Sequence, residues 1–185
     1  MKEKIRQVLS QRKKKTITDE GLIPAAVLIP IYEKAGEYYL VFTKRTEVVD
    51  YHKGQISFPG GARQAGDETL KDAALRESWE EIGLDPQDVE ILGELDDEPT
   101  YITAFIISPF VAAIPYPYQF RASPKEVEEI IEVPIAALLD KSSLRQEIRL
   151  GPERVLMPFY DYNGKVIWGA TARILKHFLE LVFGH

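Results

Sequence analysis

The sequence predicts an α/β (α+β) sandwich, read as one domain over residues 1–185 with residues 1–20 as an N-terminal helix and linker. Three observations lead there. Stretches rich in β-branched and aromatic residues recur between turn residues. Helical apolar spacing marks both ends and one central stretch, so helices stand before, between and after the strands. The 185 residues, 45% hydrophobic and 28% charged, match ordinary globular usage and can build a sizeable core.

The elements follow in order. Ile5, Val8 and Leu9 sit at helical spacing within residues 2–12. The basic run Arg12 to Lys15 reads as a solvated helix end, where cations suit the helix dipole, with phosphate or partner binding as the alternative. PAAVLIPIY and YYLVFTKR are strands joined by the turn Lys34-Ala35-Gly36-Glu37. A loop from Thr46 to Gln55, a short ISF strand and the turn Pro59-Gly60-Gly61 come next. Thr69 to Ile82 reads as a helix stopped at Gly83, with Pro86 just beyond. VEILGEL, AFIISPFVAAI and EVEEIIEV are further strands, and PIAALLD is a short helix opened by Pro134. VLMPFYDYNGKVIWG is a hairpin turning on Asn163-Gly164, and ATARILKHFLELVF is a closing amphipathic helix.

Composition excludes several functions. The net charge of -6 argues against a general nucleic-acid binder, but not against a nucleotide substrate. The absence of cysteine removes disulfides, thiolate metal sites and cysteine nucleophiles. No apolar run approaches a membrane span, and the N-terminus has no secretion-signal pattern, so a cytoplasmic protein is expected.

The segment RESWEEIG poses the functional question, because Glu77, Glu80 and Glu81 crowd together beside one cation, Arg76. At about 100° per residue, Leu75, Trp79 and Ile82 fall on a packing face with the glutamates opposite, flanked by Ala73 and Ala74. Like charges at these spacings repel, and the last turns of a helix disfavour anions. A solvated acidic face is one explanation. The other is a set of oxygen ligands for a hard divalent cation, which would remove the repulsion. The preceding FPGG, with glycines that let backbone approach a ligand closely, favours the second.

GARQAGDETLKDAALRESWEEIGL resembles the signature of the Nudix hydrolases: a glycine, a glutamate, then R-E-apolar-x-E-E-x-G-apolar. Glu68, Arg76, Glu77, Glu80, Glu81, Gly83 and Leu84 fit. Two positions depart: six residues rather than five separate Gly61 from Glu68, with Asp67 as a substitute for that acid, and Ser78 replaces an apolar residue. FTKRTEVVDYHKGQISFPGG resembles the coenzyme A pyrophosphatase-type subfamily, as do EVEEIIEVPIAALLD and IWGATARILKHFL. Asp50 stands where that subfamily often carries arginine.

The resemblance implies a Nudix-type α/β/α sandwich with a central mixed β-sheet. It implies a Mg²⁺- or Mn²⁺-dependent pyrophosphatase acting on a small nucleotide substrate, with a homodimer as an admissible assembly. Coenzyme A or its derivatives, cut to 3′,5′-ADP and 4′-phosphopantetheine, is the first choice. ADP-ribose, NADH and (d)NTPs are alternatives, and a catalytically silent ligand-sensing module is a third reading. Glu77, Glu81 and Glu80 are the implied metal ligands, with a carbonyl of Gly60 or Gly61, and Arg76 orients them. Arg45, His52 and Lys53, with Gly60 and Gly61, are the implied substrate contacts. The base is Glu77 itself or a distant glutamate, with Glu126, Glu128 and Glu129 as candidates. Tyr116, Tyr118 and Phe120 either pack or frame an entrance, and Trp79 is expected in the core.

Overall fold

The computed structural model describes residues 1–46, 54–100, 103–150 and 154–184. Helix α1 (Lys2–Ser10) buries Ile5 and Leu9. Strands β1 (Ile23–Lys34) and β2 (Glu37–Arg45) form a hairpin with Lys34 opposite Glu37. Its two turn residues, Ala35 and Gly36, have φ of 52° and 84°, the left-handed pair that matches the twist of a tight hairpin. β3 (Ile56–Ser57) pairs with β2. β4 (Gly60–Ala62) runs antiparallel to the first half of β1, with Gly60 opposite Val27 and Ala62 opposite Ala25. The segment read from sequence as a turn at Pro59-Gly60-Gly61 therefore places both glycines in a strand.

After helix α2 (Leu70–Ile82) come β5 (Glu90–Glu94), β6 (Glu98–Pro99) and β7 (Phe105–Ala113). β7 runs parallel to β1, from Ile23 opposite Phe105 to Ile31 opposite Ala113. β8 (Val127–Pro134) is antiparallel to β2. Among the described residues these eight strands form one mixed sheet. Helix α3 (Ile135–Leu139) leads to β9 (Leu144–Leu150), β10 (Arg154–Tyr162) and β11 (Lys165–Ile167), a separate antiparallel sheet. The hairpin expected at Asn163-Gly164 is present, and β9, which the sequence pattern does not mark, adds a third strand to it. Helix α4 (Gly169–Phe183) follows.

The period of two along the strands sorts their side chains into two cores. Ala26, Leu28 and Tyr32 of β1, Val41 of β2, and Phe110 and Ala112 of β7 pack with Ala73, Ala74 and Ile82 of α2. Ile29 and Ile31, Leu40 and Phe42, and Val111 and Ala113 pack on the other face. Their partners there come from α1, α3, α4 and the inner side of the small sheet. The result is the α/β/α sandwich with a central mixed sheet.

Two expectations are corrected. The face of α2 is the first. Its buried residues are Ala73, Ala74, Ser78, Glu81 and Ile82, while Trp79 is 52% exposed. The helix sits with small residues against the sheet and turns Glu77 and Glu81 inward, towards β4. The small side chains of Ala73 and Ala74 take the packing positions, and Trp79 falls on the face turned to solvent. Buried Ser78 satisfies its hydroxyl within the helix by donating to the Ala74 carbonyl at 2.7 Å.

The basic run is the second. Arg12 pairs with Asp96, and Lys14 with Glu94 and Asp97 at 2.8 and 2.9 Å. The Lys15 and Ile17 amides donate to Asp96 and Asp97. Arg12 and Lys14 thus strap the N-terminal segment to the β5–β6 connection, engaged by carboxylates rather than solvated or presented to a ligand. Among the described residues no helix is long and apolar enough to cross a membrane.

Candidate active site

The site forms where α2 meets β4. Thr69 caps the start of α2 in a reciprocal box with Asp72, and Gly83 ends it at φ 66°, a left-handed conformation suited to glycine. These caps fix the length of the helix, and hence which turn carries Glu77 and Glu81. The two glutamates are four residues apart, one turn, and lie on one face.

Glu77 lies in space left by the missing side chain of Gly61, and Glu81 lies against the backbone amide of Gly60. A Cβ on Gly61 would lie 2.6 to 2.8 Å from the carboxyl carbon and oxygens of Glu77. A Cβ on Gly60, whose φ is 154°, would lie 2.2 Å from the Ala26 carbonyl oxygen. Gly61 makes room for the Glu77 carboxylate, and Gly60 lets β4 lie against β1.

Glu81 is 2% exposed. It accepts the Gly60 amide at 3.2 Å and has the Arg45 guanidinium 3.6 Å away. Burial pushes its pKa up to about 8, opposed by Arg45 and the Gly60 amide and reinforced by the charges of Glu77 and Glu126. Burial raises the pKa of Glu77 too, opposed by Arg76 and reinforced by Glu80 and Glu126. Glu80 is half-exposed. Arg76 links the group: one terminal nitrogen donates to Glu77 at 2.8 Å and to Glu80 at 3.1 Å.

Glu126 arrives from outside the helix. The Ser123 amide donates to the Glu81 carbonyl and the Arg121 amide to the Ile82 carbonyl, so this loop caps the end of α2. The Thr46 amide donates to the Glu126 carbonyl, tying the loop to the end of β2. Glu126 thereby comes close enough for its charge to raise the pKa of both inner glutamates. Glu128 is instead held by Lys44 at 2.7 Å, and Glu129 by Lys165 at 2.8 Å. Arg45 reaches the site, and its Nε–H meets no acceptor among the described residues. His52, Lys53 and Asp50 lie outside the described residues.

The aromatic candidates pack on the protein. Tyr116 stacks on Tyr32 with ring centroids 5.1 Å apart, and Tyr118 lies 5.0 Å from Phe120. The Tyr118 hydroxyl accepts the Asp85 amide at 2.8 Å and donates to the Gly83 carbonyl, so it braces the end of α2.

The donors suit a hard divalent cation. Glu77, Glu80 and Glu81 offer carboxylate oxygens, and two of the three are withdrawn from solvent, where uncompensated negative charge is costly. Among the described residues no three acidic or histidine side chains stand gathered around a single point, and Arg76 and Arg45 pair with these carboxylates.

Comparison with known proteins agrees with this geometry. The family model for the NUDIX domain matches residues 22–152. Proteins named uncharacterized Nudix hydrolase NudL, from Salmonella paratyphi B and Salmonella newport, are each 37% identical over 155 residues. That match covers 82% of this chain and 79% of each relative. Among solved structures, a MutT/nudix family protein from Enterococcus faecalis superposes with a TM-score of 0.61 at 14% identity, covering 95% of this chain and 66% of that one. The C. elegans Ap4A hydrolase, solved as a binary complex, gives 0.53 at 18% identity, covering 64% and 84%. The NUDIX domain of Shewanella oneidensis NrtR, solved with ADP ribose, gives 0.53 at 16% identity, covering 65% and 78%. These structures share the fold, and the sequence match carries the family. The chain belongs to the Nudix hydrolases, enzymes that act on pyrophosphate bonds and generally use divalent metal ions.

Proposed function

We propose that the protein is a Mg²⁺- or Mn²⁺-dependent pyrophosphatase that hydrolyses coenzyme A or a derivative to 3′,5′-ADP and 4′-phosphopantetheine. The observation that carries the catalytic part is the pair of inward glutamates, Glu77 and Glu81, closed over Gly60 and Gly61 of β4. Their oxygens, with Glu80 and a carbonyl of Gly60 or Gly61, would hold the cation. Bound there, it supplies charge neutralisation on the pyrophosphate and acidifies a water.

The chain's own residues do the rest. Arg76 fixes the orientation of Glu77 and Glu80 through charge-assisted hydrogen bonds. Arg45, beside Glu81 and with an Nε–H that meets no acceptor among the described residues, contacts a substrate phosphate in this reading. Glu126 takes the proton from the attacking water in this reading, supported by the effect of its charge on both inner glutamates, whereas Glu128 is engaged by Lys44. Water adds to one phosphorus, the bridging P–O bond breaks, and the departing phosphate carries away the electron pair.

The coenzyme A assignment rests on the resemblance of residues 42–61 and of the later segments to that subfamily. The Asp50 departure favours a second substrate class, ADP-ribose, NADH or (d)NTPs. The solved neighbour with bound ADP ribose belongs to the same fold. Incubation with Mg²⁺ or Mn²⁺ and each substrate in turn, followed by mass spectrometry, decides between them. The expected result is fastest release of 3′,5′-ADP and 4′-phosphopantetheine from coenzyme A. Intact coenzyme A beside a cleaved second substrate would move the assignment to that substrate.

A further inference from the structure

The guanidinium of Arg76 uses all of its donors. Nε and one terminal nitrogen bind the two oxygens of Asp67 side-on, both at 3.0 Å. That same terminal nitrogen also donates to the Ala62 carbonyl at 3.1 Å. The other terminal nitrogen donates to Glu77 and Glu80. An arginine has five N–H donors in a rigid fork, and here each has an acceptor. Asp67 therefore holds one edge of the fork, and the opposite edge faces the glutamates.

Asp67 is itself fixed. It is buried, and its second oxygen accepts the Gln64 amide at 2.7 Å. Arg63 clamps the loop from outside, donating to the carbonyls of Asp67 and Glu68. That clamp turns the Asp67 side chain in and leaves the Glu68 side chain exposed. Counted from Gly61, Asp67 stands after five intervening residues and Glu68 after six.

We propose that Asp67, not the motif glutamate Glu68, is the positioning residue of this site. It sets the rotation of Arg76 and through it the spacing of Glu77 and Glu80. The inference rests on the reading of those glutamates as metal ligands, so its test carries one readout that needs no metal. An amide at position 67 keeps the shape but replaces one acceptor with a donor, which faces a guanidinium donor.

Four proteins are compared: wild type, Asp67→Asn, Asp67→Glu and Glu68→Gln. The first readout is the Arg76 Nε–H resonance, assigned by its loss in Arg76→Lys. The second is Mn²⁺ affinity by electron paramagnetic resonance of the free ion. Asp67→Asn is expected to lose the exchange-protected Nε–H signal and weaken Mn²⁺ binding by about 10- to 100-fold, at an unchanged circular dichroism spectrum. Glu68→Gln is expected to match wild type in both, and Asp67→Glu to retain the signal should Asp67→Asn fold poorly. A signal lost in Glu68→Gln but kept in Asp67→Asn would overturn the proposal. So would a protected signal in both variants. Failure of wild type to bind Mn²⁺ would instead fail the metal-site reading, and the resonance would still decide the role of Asp67.

Discussion

Glu81→Gln is expected to lower turnover by about 10³-fold, roughly 4 kcal/mol of transition-state stabilisation, while leaving the fold intact. Glutamine keeps the volume of a side chain that is almost wholly buried against Gly60 and Arg45. It removes the charge that would hold the cation. The same variant carries a stability signature in metal-free protein. The Glu81 pKa rises from its ordinary 4.5 to about 8 in the folded chain. Between those values the folded protein keeps a proton that the unfolded chain releases. Its stabilising contribution is full below about pH 4.5 and is lost as pH rises towards about 8. Thermal melts in EDTA should show the wild-type Tm falling across that window more steeply than the Tm of Glu81→Gln. Parallel curves, or turnover that survives the substitution, would remove Glu81 from the site.

Gly61→Ala is expected to separate activity from stability in another way. The added methyl lands on the Glu77 carboxylate, 2.6 Å from its carboxyl carbon, and not on rigid backbone. Glu77 must swing aside, taking its contact with Arg76 along. Displacement of about 1 Å at a catalytic group costs on the order of 10²-fold, so kcat should fall at least that far. The fold should survive, because Gly61 needs no left-handed backbone and the obstacle is a side chain that can move. Gly60→Ala serves as the contrast: its methyl meets the Ala26 carbonyl and the Val27 backbone, so soluble yield and Tm should drop with activity. Chromatography and melting curves on both variants, beside kcat, check the pair. Full activity in Gly61→Ala would show that Glu77 does not need its present position.

What the sequence reveals about this site follows the range of the interactions. The contacts of Arg76 with Glu77 and Glu80 lie within one turn of a capped helix, and local spacing is enough to read them. The orientation of that helix was not legible. Ranking side chains by hydrophobicity places Trp79 inside and Glu81 outside, and the structure does the reverse. The reason is non-local: α2 packs beside β4, where Gly61 leaves room for the Glu77 carboxylate and the Gly60 amide donates to Glu81. Glu126 joins the inner glutamates through backbone bonds from Ser123 and Thr46, which connect segments far apart in the chain. Nothing in its own neighbourhood separates it from Glu128. The strands of the main sheet were legible because their apolar runs are long. β9 was missed because LRQEIRL alternates weakly and gains its pairing from β10.

Glu77 and Glu81, closed over Gly60 and Gly61, are proposed to hold the divalent cation of a pyrophosphatase. The most direct measurement is an anomalous-difference map at the manganese edge from crystals grown with Mn²⁺. The expected result is a peak bounded by the Glu77 and Glu81 carboxylates and the Gly60-Gly61 segment, with Arg45 moved off Glu81. Peaks confined to other carboxylates, with Glu81 still against Arg45, would rule out Glu77 and Glu81 as the ligands.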